Sequence, residues 1–407
     1  MSPVHVLLLG GQLILGAELS QAYNSAVIRD EAGDTHGGTM SVFGPRAHGR
    51  LTYDTSDYLL EYVGGFTFYD FDASDAELSH RGELRGHWQI GSTATADAFE
   101  QLTYGTDNTL RQMDVVRAAS PEVSSQLTHY ILNHGRIGYH FEIGDTTTFD
   151  AAASYLFRRT LDGVTTDNPI ITFDSLSPQV ELDLMRALND DNQIGMRAVY
   201  SHFFSPTVPG GSFFDSPGRY ALNGALVFTH RFVEWWSATA FAGGVYAMSL
   251  DPESDDNYVG PTLGASTEFR GPRLRATLRY EHTYGAYGVQ AGSAVQDAGI
   301  VDLGFYPNPL DDDLNFQGAF DGRHAVEVLG DLGLTHDSLG ATAGVRYEIG
   351  DYVSVYGQYE WRFQRLIGTP GGEDDLAIRR HIVTVGVAGQ YAIPREIDVG
   401  RTDVFAE

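Results

Sequence analysis

The chain has 407 residues, a formal net charge of -28 and a pI of about 4.7. A chain this acidic lacks the basic face that general nucleic-acid binding requires, so we expect no nucleic acid as a partner. It contains no cysteine, which excludes disulfides, thiolate catalysis and cysteine-ligated zinc. All 26 basic residues are arginine, because the sequence contains no lysine.

The N-terminal segment is the most apolar stretch of the chain, running from Val4 to Leu15 with two glycines and a glutamine inside it. It is shorter than the about 20 apolar residues that a membrane-spanning helix needs, and no other run approaches that length. Its length is that of a signal peptide, although no lysine or arginine precedes it. We therefore expect residues 1–11 to be either a signal-peptide remnant or the start of the first strand.

In chain order, segments of alternating apolar and polar residues come in pairs that are joined by short polar turns and separated by longer acidic or Pro/Gly-rich loops. This pattern indicates antiparallel strands. The predicted strands are 12–25, 39–54, 58–70, 76–90, 93–105, 126–142, 146–158, 176–187, 193–204, 218–231, 235–250, 258–269, 273–288, 339–349, 352–366 and 378–392. The pattern is weak over 299–334, where Val326, Val328 and Leu332 indicate further pairing that would raise the total to 18.

The segment 274–284 shows the alternation most clearly. Its even positions hold leucine, alanine, tyrosine and histidine, whereas the odd positions include Arg275, Arg279 and Glu281. A helix would scatter both sets around its circumference, so the period of two predicts a strand with one apolar and one charged face. Soluble antiparallel sandwiches alternate in the same way, so alternation alone leaves both classes open.

Two further features favour a membrane barrel. Aromatic residues crowd the short turns, as in the interfacial aromatic girdle of outer-membrane barrels, and charges run along the middle of the polar faces of long strands. The predicted girdle residues are Phe141, Phe149, Phe232, Trp235, Trp236, Phe269, Tyr347 and Tyr352. We predict an all-β transmembrane antiparallel β-barrel of about 16 strands (about 14 to 18) over residues 12–392, followed by a short periplasmic tail, 393–407.

Such a barrel belongs in the outer membrane of a Gram-negative bacterium. Its expected partners are outer-membrane lipid and lipopolysaccharide, the barrel-assembly machinery and, for an exporter, a periplasmic export partner. The long segment 289–322 contains Pro307, Pro309 and three consecutive aspartates. We expect part of it to be a long external loop, and a fold of this loop into the lumen would decide between an open and a plugged barrel.

The candidate functional residues are charged residues at the alternate strand positions that face the lumen. The predicted lumen residues are Arg46, Arg50, Arg81, Arg85, Arg136, Arg197, Arg273, Arg275, Arg279, Glu281, Arg346 and Arg362. One interpretation is a cationic strip for anionic solutes, because guanidinium groups pair with carboxylate and phosphate at two points. The other is that they pair with glutamates on neighbouring strands and fill the lumen.

Enzymatic and metal-binding patterns are missing from the sequence. There is no HExxH, GxSxG or phosphate-loop motif, and Ser201 and His202 are adjacent strand residues that point to opposite faces. The acidic loops do not continue as a twelve-residue calcium loop, so we interpret them as solvated charge. We expect no enzyme, cofactor or metal, and keep a barrel-embedded hydrolase as the least favoured alternative.

The segment from Gly16 to Val27 resembles the first strand of a broad group of uncharacterised outer-membrane barrels. Some of these are similar to exopolysaccharide-export barrels, including the porin domain of poly-N-acetylglucosamine secretion systems. Such barrels usually end on an aromatic residue. Here the last predicted strand has its final aromatic residue at Tyr391, and a tail to Glu407 follows it. The resemblance implies a barrel but transfers no functional residue.

These observations predict a pore or conduit for polar, anionic solutes or for a secreted polysaccharide. The alternative is a plugged structural or adhesive outer-membrane barrel, or a subunit of a surface complex. Open and plugged barrels share the same strand pattern, so the sequence leaves the two open.

Overall fold

A computed structural model describes residues 8–29, 35–70, 77–106, 129–161, 174–204, 212–213, 218–251, 256–287, 290–308, 313–329, 335–350, 352–368 and 376–395. These residues form strands and turns. Among them no helix is long and apolar enough to cross a membrane.

The described residues form eighteen β-strands. In chain order they are β1 (Leu8–Arg29), β2 (Thr35–Tyr53), β3 (Ser56–Tyr69), β4 (Glu77–Ile90), β5 (Ala94–Thr106), β6 (His129–Ile143), β7 (Thr147–Thr160), β8 (Ser175–Ala187), β9 (Asn192–Phe203), β10 (Arg219–Val233), β11 (Trp236–Ser249), β12 (Asn257–Arg270), β13 (Leu274–Tyr287), β14 (Gln290–Phe305), β15 (Leu314–Leu329), β16 (Thr335–Ile349), β17 (Val353–Ile367) and β18 (Leu376–Arg395).

The sheet is a closed antiparallel barrel. Every strand pairs with its neighbours in the chain, and β1 also pairs with β18 in a register that runs from Gly11 with Arg395 to Asn24 with Ile382. Closure leaves no open edge, and an even number of antiparallel strands is typical of bacterial single-chain outer-membrane barrels. The predicted fold class is confirmed, with 18 strands instead of about 16.

Seven of the eight connections at the end of the barrel where β1 begins and β18 ends have four residues or fewer, and the connections at the other end are longer except for 288–289. In outer-membrane barrels the short turns are periplasmic and the longer loops are external. We call these the turn end and the loop end. β1 begins at Leu8, inside the segment 1–11 for which the start of the first strand was one of our two expectations, and β18 continues to Arg395, three residues into the predicted tail 393–407.

The two additional strands, β14 and β15, lie in the region where the sequence pattern was weak. Our expectation that part of 289–322, around Pro307 and Pro309, is a long external loop is wrong. The segment forms wall strands, and 306–313 connects them at the turn end. The alternation was obscured because glycine and alanine occupy several outward positions there, such as Gly299 and Gly318.

Alternation along most of each strand separates the two faces of the wall. Large apolar side chains point outward and are highly exposed, for example Leu19 at 63%, Ile137 at 67% and Val259 at 73%. A surface this apolar is stable only against hydrocarbon, and a closed barrel satisfies every backbone hydrogen bond within the wall. The wall is therefore a membrane-spanning one, and the inward positions line a lumen.

Gly243 tests how closely neighbouring strands pack. A Cβ there would overlap the backbone of Gly224 and Ala225 on β10, whereas a Cβ at Gly357 would meet nothing within 4 Å. We predict that Gly243→Val destabilises the barrel by about 2 kcal/mol, because the backbone of β10 must shift. Gly357→Val is the control and should leave the denaturant midpoint in lipid vesicles unchanged; equal midpoints for the two variants would contradict the close approach.

Candidate functional site

The inner wall carries the predicted lumen residues. All of them except Arg273 lie in strands at inward positions, and Arg273 lies in the turn before β13. Arg46 and Arg346 line a polar cavity of about 360 Å³ together with His48, Glu61 and Glu348. The structure thus brings arginines from β2 and β16 together around one space, because β18 and β1 join the two ends of the chain.

Most of these arginines are paired with carboxylates. Five pairs lie within one strand, two residues apart on the same face, and the other four connect strands. The ion pairs and hydrogen bonds of the predicted arginines are Arg46–Glu18, Arg50–Asp57, Arg81–Glu83, Arg85–Glu83, Arg136–Asp97, Arg197–Asp183, Arg279–Glu281, Arg346–Glu348 and Arg362–Glu360. The lumen is therefore lined by neutralised pairs more than by a bare cationic strip.

Two cross-strand pairs are bidentate. Arg197 Nε and Nη2 donate to the two carboxylate oxygens of Asp183 at 2.9 and 3.0 Å, and Glu181 lies 3.2 Å from Arg197 Nε. Arg50 Nε and Nη2 bind Asp57 in the same way at 3.0 and 2.6 Å. This fork geometry holds each guanidinium in a fixed orientation against the wall, and it leaves N–H donors directed to the lumen.

Glu83 is the most deeply buried acid of the set. Its side chain is 3% exposed and accepts hydrogen bonds from Arg81 and from Arg85, which is itself 57% exposed. One carboxylate thus bridges two guanidinium groups on the same strand face, and the three side chains together keep one net positive charge. A buried charge with its partners in place is stable, but removal of one member leaves the others uncompensated.

Arg273 and Arg275 differ from the other predicted residues. Neither has an ion pair within the part of the chain that the structure describes, and the Arg275 guanidinium lies 4.8 Å from the centre of the Tyr306 ring. Arg275 lines a cavity of about 720 Å³ at the turn end, with Arg270 and Asp302. This mouth therefore presents guanidinium charge that is not already bound to a carboxylate.

Exposure of the inner wall changes from one end of the barrel to the other. At the middle of β6 and in the turn-end half of β13, Arg136 and Arg279 have side chains that are 47% and 54% exposed. Toward the loop end, several inward polar residues are 2% exposed or less. These buried residues are Asn24, Thr67, Ser79, Thr103, His336, Ser338, Gln364 and Arg380. The lumen is thus accessible from the turn end and narrows toward the loop end.

An apolar contact inside the lumen contributes to this narrowing, and it involves Tyr284, which has the same parity along β13 as the outward residues Leu278 and Tyr280. Tyr284 of β13 and Leu329 of β15 pack against Ala247 of β11, and the Tyr284 ring lies 6.4 Å from that of Phe203 on β9. Strands four apart in the wall meet only if their ends lean inward. The pairing of β12 with β13 ends at Leu263, which leaves the upper part of β13 free to do so.

The predicted girdle residues all lie at the turn end. Phe141 and Phe149 are direct cross-strand partners, Phe232 stacks on Trp236 at 4.2 Å, and Trp235 meets Phe269 edge-on at 4.8 Å. Tyr347 and Tyr352 are exposed on the outer surface, and Tyr352 stacks on Tyr391. Amphipathic rings at this height suit the boundary between hydrocarbon and water.

Sequence reasoning missed several acids that complete the inner wall, chiefly Glu18, Asp57, Asp97 and Asp183. Each binds its arginine across strands. The sequence shows only that these acids occupy strand positions that face the lumen. Which arginine each acid meets depends on strand register, which the sequence does not provide.

Glu83→Gln tests the paired wall. We predict that it lowers the free energy of unfolding by about 3 kcal/mol, because Arg81 and Arg85 lose their shared counter-charge. The matched control is Glu348→Gln, whose side chain is 40% exposed and 3.4 Å from Arg346, and which should cost at most about 1 kcal/mol. Equal losses of unfolding free energy for the two variants, measured by denaturant unfolding, would contradict this effect of the burial of Glu83.

No family model and no curated protein sequence matches the chain. Solved structures similar to it include Pseudomonas aeruginosa OccK2 (OpdF) in complex with glucuronate, at 12% identity and a TM-score of 0.46 over 96% of this chain and 100% of that one. Pseudomonas aeruginosa OpdK with vanillate has 11% identity and a TM-score of 0.46 over 94% and 99%. Acinetobacter baumannii OccAB3 has 10% identity and a TM-score of 0.47 over the same shares.

No residue role is carried over from these proteins. The closed wall, the even strand number and the apolar exterior are features of this chain itself. By these features the chain is a porin-like β-barrel of the Gram-negative outer membrane.

Proposed function

We propose that the barrel is a narrow diffusion channel for small anionic solutes. The observation that carries this proposal is the inner wall itself, where arginines stand at inward positions with their guanidinium groups open to the lumen. Arg85 and Arg279 remain 57% and 54% exposed although each binds a carboxylate. A guanidinium has five N–H donors, so a paired arginine still offers donors to a passing carboxylate or phosphate.

Arg273 and Arg275 give the turn end its charge preference. Guanidinium groups without carboxylate partners attract anions into the mouth and raise their local concentration there. Paired residues deeper in the lumen then provide weak, successive contacts. This order of a charged mouth and a paired wall favours passage over tight binding.

Planar-bilayer recording of the refolded full chain under a salt gradient tests the proposal. We expect open steps whose reversal potential shows anion preference, and the double variant Arg273→Gln with Arg275→Gln should shift that potential toward the value for no selectivity. The control is Arg379→Gln, at an exposed outward position beside Phe363. Cation preference of the native barrel, or the same shift for both variants, would contradict the proposal.

The contact at the loop end sets the width of the channel. Replacing Tyr284 and Leu329 by alanine removes two side chains of the buried apolar cluster that also contains Ala221 and Val245. We predict a rise in single-channel conductance of at least about twofold, since the narrowest part of a channel dominates its resistance. Leu303→Ala on the outer wall is the control and should leave conductance unchanged.

A plugged structural barrel is the second candidate, and the full burial of inward polar residues near the loop end favours it. A correctly folded native barrel that does not conduct, but conducts after the Tyr284 and Leu329 replacements, would support this second candidate. Export of a polysaccharide, which the first-strand resemblance implied, is not favoured by any contact of the inner wall described above.

A further inference from the structure

The lipid-facing side of β5 carries a carboxylate. Glu100 occupies an outward position between Leu84 on β4 and Gly135 on β6, and it is exposed. It lies six residues from the start of β5 at Ala94, which places it about 15 Å above the turn end for a tilted strand. An apolar band of about 25 Å surrounds such barrels, so Glu100 is at mid-depth.

Glu100 belongs to a small polar cluster with Tyr155 and Asn133, which we call the outer polar cluster. Tyr155 Oη lies 2.8 Å from Glu100 Oε1 and 3.3 Å from Asn133 Oδ1, so its single proton is shared between two acceptors. The Glu100 and Tyr155 side chains meet over Gly135, where an added Cβ would overlap both. The glycine therefore allows the cluster to form.

The cluster has hydrogen-bonding capacity that its own residues do not use. The tyrosine hydroxyl satisfies only one carboxylate oxygen of Glu100, and the Asn133 amide N–H groups have no partner within the described ranges. A carboxylate and an amide that face hydrocarbon in this state are costly. The same patch of the wall thus presents a hydrogen-bond acceptor and a hydrogen-bond donor that the cluster itself does not use.

The surrounding wall permits close approach. Outward positions next to the cluster hold small residues, including Ala98 on β5 and Ala153 on β7, while Ile137 and Leu102 rise on either side at 67% and 51% exposure. Small residues let two membrane surfaces come into contact, and the flanking aliphatic side chains exclude lipid from the polar groups.

We propose that this face of β4–β7 binds a second copy of the chain in the membrane around a two-fold axis. In a two-fold contact the same patch meets itself, so the Asn133 amide of each copy donates to the Glu100 carboxylate of the other. A patch that presents donor and acceptor side by side is self-complementary in this way. The dimer thereby removes both groups from hydrocarbon.

The absence of native cysteine makes a single-cysteine experiment direct. Ile137→Cys places a thiol beside the outer polar cluster, and Leu278→Cys on β13 places one at a similarly exposed outward position on a distant part of the wall. In vesicles at low protein density, oxidation with copper phenanthroline should give at least about ten times more disulfide-linked dimer for the first variant.

Glu100→Leu and Asn133→Leu, each introduced with Ile137→Cys, should reduce the dimer to the level of the Leu278→Cys control. Heat-modifiable migration in gels checks that each variant is a folded barrel, and native mass spectrometry of the unmodified chain in detergent should show a dimer. Equal cross-linking of the two cysteines, no effect of Glu100→Leu in a folded barrel, or a monomeric native chain would each overturn the proposal. A lipid or an unrelated protein on this face would give the last result.

Discussion

Closure of the sheet is the constraint on which the rest of the structure depends. Hydrocarbon offers no hydrogen bonds, so a sheet that crosses it must pair every backbone group within itself. The seam between β1 and β18 completes this pairing, with Gly11 opposite Arg395 and Asn24 opposite Ile382. Once the wall is closed, alternation along each strand assigns every residue to lipid or to lumen, and charged residues of one parity must share an enclosed space.

That enclosure explains why the lumen charges are paired. Arginines on an inner wall face one another across the barrel, and unscreened like charges at low dielectric repel strongly. Carboxylates on the same strand or on its neighbour reduce this repulsion while they hold the guanidinium groups against the wall. Glu83 between Arg81 and Arg85 is the clearest case, and the outer polar cluster around Glu100 shows the opposite one, in which an acid on the lipid side has no arginine partner among the residues that the structure describes.

The sequence predicts the fold and part of the site, and there is a physical reason why it does not predict the rest of the site. Pairs within a strand, such as Arg279 with Glu281, follow from a spacing of two and can be inferred from sequence alone. The pair Arg136–Asp97 requires the register of β5 against β6, which alternation does not determine. The contact between Tyr284 and the far wall requires in addition that a strand end leans inward, a property of tertiary packing. β14 and β15 were the least certain strands because glycine at outward positions weakens the apolar signal.

In the channel that we propose, the paired wall also determines how a solute moves. An anion that reaches a free guanidinium gains the full attraction and is slow to leave, whereas an anion that meets a paired arginine competes with a carboxylate already in place. The exchange is close to neutral, because one carboxylate contact replaces another. Passage requires entry that is favourable and release that is easy. Guanidinium groups without carboxylate partners at the turn-end mouth, at Arg273 and Arg275, and paired ones deeper in the lumen satisfy both requirements, and the apolar contact at the loop end then limits the size of what can pass.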